Sequence, residues 1–189
     1  MWPFKNKKRE QAAQITTVLV EGQLGAYYGN HRFVQAMLTD PYVMGYVVHR
    51  IIGLAGLGAK TAGLYARDIL PVAGLALPLL FPVHWKVVQQ TAAENRREAW
   101  SRADYDEGTK DALSFSSYLS GEMDIRSHPL YADIAKHAKD LAWLGATNPL
   151  DPHMREMTAL ELLTFGQYLK RGGWQRSLAD MKHRWGEGV

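Results

Sequence analysis

Two ionisable side chains are turned by helical periodicity toward apolar neighbours, and these are the residues best placed to do chemistry. Between Leu130 and Leu144, at about 100° per residue, His137 falls within about 40° of Leu130, Leu141 and Leu144. Asp133 precedes it by one turn and Asp140 follows by about one. An imidazole between carboxylates suits a general base, or supplies two or three ligands to a metal ion. The plainer reading is a partly buried histidine kept charged by a carboxylate. It is preferred, because no histidine stands four residues away and no His-Glu-x-x-His pattern occurs. Neither a metal nor a cofactor is expected.

Glu161 is the second such group. Along Pro152 to Arg171 it shares a face with Met154, Met157, Phe165, Tyr168 and Leu169. A carboxylate there either finds a partner or has its pKa raised by desolvation. A buried hydrogen-bond anchor is the commoner outcome. If Glu161 and His137 face each other, they build with Asp133 and Tyr168 one pocket for catalysis or for a small apolar ligand; spacing alone leaves this open. Further candidate ligand contacts are Tyr46 and His49, which share a side of their helix, and His31 with Arg32, which follow Tyr27-Tyr28-Gly29-Asn30.

Other patterns fail on spacing. In GLAGLGAKTAG, residues 53–63, Ala59 separates Gly58 from Lys60 and the preceding segment has helical periodicity, so a phosphate loop is not formed. Asp104, Asp106, Glu107 and Asp111 lack the glycine and glutamate positions of a calcium loop and read as a solvated turn. The absence of cysteine in the 189 residues removes thiolate nucleophiles, disulfides and cysteine-held metals.

The elements that must carry these residues are helices. With 47% hydrophobic and 22% charged residues the chain has a globular composition, and period 3.6 recurs where period 2 does not. The expected fold is all-α: one irregular bundle of about seven to nine helices over residues 1–189, with 1–9 a flexible basic tail. Helices are expected from Glu10 to Val20, His31 to Leu38, Pro41 to Leu57, His84 to Ala103, Thr109 to Ser120, Ser127 to Leu144, Pro152 to Arg171 and Trp174 to Trp185, with a loop over 22–30 and a buried helical hairpin within 42–83.

Charge and hydropathy bound the partners. A net charge of +3 with cations gathered at both ends is too mild for nucleic acid, and no groove-reading element is present. Ile69 to Val83 is apolar throughout, but its 15 residues contain Pro71, Pro78 and Pro82, whereas a spanning helix needs about 20 apolar residues. Trp174, Leu178, Met181 and Trp185 fall on one side of a helix with Arg176, Lys182 and Arg184 elsewhere, which suits an anionic membrane or a partner's groove as well as the chain's own core. The functional expectation is a cytoplasmic helical interaction protein that self-associates through the apolar 42–83 region. The alternatives are an enzyme or ligand binder around Glu161 and His137, and a peripheral membrane-binding protein.

Overall fold

Asp40-Pro41, a helix-start signal in the sequence because Asp suits the N-cap and Pro the first helical position, begins the central helix. In a computed structural model describing residues 3–28, 38, 40–136, 156, 159 and 160, the Asp40 carboxylate accepts from the amides of Tyr42 at 2.9 Å and Val43 at 3.3 Å. Pro41 has no amide to leave unsatisfied. Six α-helices lie among the described residues: α1 (Pro3–Tyr28), α2 (Pro41–Thr61), α3 (Ile69–Leu80), α4 (Trp85–Arg97), α5 (Ala99–Ser120) and α6 (Tyr131–Lys136). Short 3-10 turns span Ala66–Asp68 and Ile125–Ser127, and no strand occurs among these residues. The described part is therefore all-α.

Helix α2 is the axis, with α1, α3, α4 and α5 packed around it. Among the described residues it is the one helix long and apolar enough to cross a bilayer, yet two thirds of its apolar window is buried against the others. Tyr42, Val43, Tyr46, Val47, Ile51 and Leu54 are all buried, so the side bearing Tyr42 and Tyr46 is as much core as the valine side. Gly63 closes α2 in the left-handed region at φ 67°, with Leu64 donating to the Ala59 carbonyl and Gly63 to that of Lys60. Gly121, at φ 76°, ends α5 in the same manner.

Several boundaries differ from the sequence reading. Helix α1 begins at Pro3, not near Glu10, and runs through the expected loop to Tyr28. Residues 3–9 are thus helical, and Arg9 is tied to the fully buried Asp68 through its Nε at 2.9 Å and a shorter Nη2 contact. The helix expected over 84–103 is split at Glu98, whose extended backbone (ψ 127°) separates α4 from α5. Conversely, α5 passes without interruption through the acidic stretch read as a turn. Its buried side chains Ser101, Tyr105, Ala112, Phe115 and Tyr118 recur at helical spacing, and Gly108 lies against α2 between them. Burial of that stripe outweighs the weak helix propensity of Asp, Tyr and Gly.

Candidate functional site

His49 and Tyr46 lie within the described residues. His49 is half-buried between α2 and α5, its Nδ1 3.0 Å from the Gly45 carbonyl and 3.1 Å from Thr109 Oγ1, its ring edge-on to Tyr105. The Gly45 oxygen only accepts, so a hydrogen on Nδ1 is donated to it, leaving Nε2 without one in the neutral ring. Burial pushes the pKa of His49 down, with Arg96 acting in the same sense, while the Gly45 bond and Asp106 oppose it. Among the described residues its hydrogen bonds end at Gly45 and Thr109, which makes it a polar pin between two helices. Tyr46 is fully buried, stacked on Tyr42 and edge-on to Phe115, and does not reach the surface.

Asp133 lies on α6, engaged by Lys136 Nζ at 2.6 Å. His137, Glu161, Tyr168, His31 and Arg32 lie outside the described residues, as do Trp174, Leu178, Met181 and Trp185. The structure instead brings out His128, which the sequence reading passed over. It accepts from the Leu130 amide at 3.1 Å through Nδ1 and packs against Phe115 and Tyr118, each centroid 5.7 Å away. Burial lowers its pKa against the pull of Asp111. Asp111 also accepts from the Tyr42 hydroxyl at 2.8 Å.

Among the described residues, the exposed apolar side chains that lie together on one helix are on α3. Its sequence, ILPVAGLALPLL, contains no polar side chain. Pro71 falls in the first turn, where helix amides lack intrahelical partners, so the helix tolerates it there. Pro78 leaves the Gly74 carbonyl without its intrahelical donor. One side of α3 (Val72, Ala73, Ala76 and Leu77) is buried. At 100° per residue Leu70, Pro71, Gly74, Leu75, Pro78 and Leu79 cover the opposite half of the cylinder. There Leu70 is 67% exposed, Leu75 40% and Leu79 49%, and beyond the helix Val83 is 83% exposed.

On either side of α3 along the chain stands an aromatic ring paired with a cation, Tyr65 exposed and Trp85 partly buried against the core. Before α3, Tyr65 is 71% exposed with the Arg67 guanidinium 5.4 Å from its ring centroid; after it, Lys86 Nζ lies 5.5 Å from the Trp85 ring. Two further cations precede α3 along the chain, Lys60 also lining a cleft with Leu113 and Glu122. Lys60 is exposed at the end of α2, and exposed Lys8 lies closest to the position a side chain would take at Gly63. The sequence carries this signal, since YARD and HWK flank the proline-punctuated run, where a buried hairpin, a self-association surface and a shallow membrane contact are all compatible with the pattern. Scattered apolar residues are ordinary on a surface, whereas an uninterrupted apolar helix face marks a contact.

The fold and this face together define an all-α protein with an unsatisfied apolar surface. Comparison with family models, curated proteins and solved structures finds no match to the chain.

Proposed function

We propose that this protein is a peripheral membrane-binding helical protein that lays the outer face of α3 on an anionic bilayer surface. The observation that supports this most is an apolar, largely exposed helix face on a helix flanked in sequence by aromatic-cation pairs. Tyrosine and tryptophan favour the boundary between hydrocarbon and water, and basic residues favour anionic headgroups at that same depth. Helix α3 is about 18 Å long, too short for a hydrocarbon core of about 30 Å, so the contact lies along the surface.

Self-association through the same face is the second reading, favoured by the size of the apolar stripe. Charge argues against it. In a two-fold pairing of α3 with itself, antiparallel helices set Arg67 against Lys86 and parallel ones set each against its own copy, so cations meet cations either way. On this proposal the whole chain forms one bundle of seven to nine helices, including those read over 152–171 and 174–185. The predicted Trp174, Leu178, Met181 and Trp185 face then makes a second contact of the same chemistry.

The test is co-sedimentation with phosphatidylcholine vesicles containing or lacking phosphatidylserine. Wild-type protein is expected in the pellet with the anionic vesicles, and a Leu70→Asp, Leu79→Asp variant, altered only at exposed positions, in the supernatant. Equal partition of the two proteins overturns the proposal. A dimer in light scattering that the variant dissolves, with no vesicle binding by either protein, transfers the face to self-association.

A further inference from the structure

At the corner where α4 ends and α5 begins, Ala93, Arg96, Arg97 and Arg102 line a cavity of about 360 Å³. Three exposed arginines share this lining, and among the described residues none has an ion-pair partner. The nearby carboxylates form no ion pair with these arginines among the described residues, although Glu98 and Asp106 stand one turn to either side of Arg102. Glu94 accepts from the Gln90 amide at 2.9 Å, one turn back along α4. Glu98, between the helices, makes no side-chain cap to α5. Asp106, close enough to act on His49 as Arg96 does, forms no ion pair with Arg96.

The helix dipole accounts for part of this cluster. Arg96 and Arg97 occupy the last turn of α4, where the partial negative charge of the carbonyls favours cations. Arg102 stands near the start of α5, where the dipole opposes a positive charge. A cation near an unfavourable helix end that lines one hollow with two more concentrates positive charge at this corner. A multiply charged anion removes the repulsion and uses the donors, since planar guanidinium groups grip phosphate oxygens two at a time.

We propose that the α4–α5 corner is a binding site for a phosphate-bearing small molecule, held by Arg96, Arg97 and Arg102. The cavity lies at the lower end of the size range of small-ligand sites, which run from about 300 to 1,000 Å³. This reading does not depend on the α3 surface, because it uses different side chains.

Isothermal titration calorimetry with inorganic pyrophosphate at low ionic strength tests it. Saturable binding with one ligand per chain is expected, weakened about tenfold or more by Arg102→Ala and likewise by Arg97→Ala. Lys110→Ala, which removes an exposed cation further along α5, is the control and is expected to leave binding unchanged. No binding by the wild type, or equal weakening by Lys110→Ala and Arg102→Ala, overturns the proposal. Vesicles containing phosphatidic acid identify the source of the phosphate. Loss of their binding in Arg102→Ala points to a lipid headgroup, and unchanged binding beside lost pyrophosphate affinity points to a soluble phosphoryl compound; both support the site.

Discussion

Arg9 and Asp68 show how much one pair of side chains can commit. The carboxylate is fully buried and the guanidinium largely so, and together they fasten α1 to the turn that leads into α3. Removing one partner of a buried pair leaves the other charge less well compensated, so Arg9→Met is expected to destabilise by up to about 3 kcal/mol. Adding Asp68→Asn should recover part of that loss, as chemical denaturation of the single and double variants will show. The histidines give a second prediction at this scale. Burial lowers the pKa of both His49 and His128 below the usual 6.5, so the unfolded chain takes up their protons first. Their contribution to stability is full above that value and is lost as pH falls below it, toward the lowered folded values. Urea unfolding at about pH 7.5 and 5.5 should show a lower midpoint at the acid end, with a smaller difference in a His49→Gln, His128→Gln variant. A midpoint that does not move in the wild type would refute this.

At the level of elements, glycine serves opposite purposes in two helices. A Cβ at Gly108 would press into the carbonyl oxygen of Tyr42, and one at Gly45 into that of Tyr105, so α2 and α5 meet backbone to backbone. Gly108→Ala is expected to cost about 3 kcal/mol, since the obstructing atom belongs to a helix backbone and has little freedom to yield. At Gly74 on α3 nothing stands within 4 Å. There alanine should stabilise by about 0.5–1 kcal/mol through helix propensity alone. Thermal melts of the two variants should move in opposite directions. The same contrast explains which elements could be read from the chain. The start of α2 was legible because Asp40 and Pro41 act within one turn, and the end of α5 because Gly121 does. The continuity of α5 was not, because Gly108 resembles a helix breaker until Tyr42 lies against it. Its stripe of Tyr105, Ala112, Phe115 and Tyr118 was nevertheless present to be counted.

For the molecule as a whole, salt separates the membrane reading from self-association. If headgroup attraction to Lys8, Lys60, Arg67 and Lys86 contributes to binding, partition onto anionic vesicles should weaken steadily with added salt, as screening shortens from about 10 Å at 0.1 M to about 3 Å at 1 M. A contact made by the apolar face alone should hold or strengthen under the same titration. Helical class, the Asp40 cap and the apolar content of the 69–80 segment are properties of neighbouring residues, and the sequence by itself determined them. Which sides face outward was decided only by tertiary structure. Helix α2, the one described helix long and apolar enough to span a bilayer, packs against four others among the described residues. The shorter α3 has, among the described residues, partners on one side only, and Leu70, Leu75 and Leu79 are exposed. Burial depends on what arrives from distant parts of the chain, and no local period specifies which of two equally apolar faces will be covered.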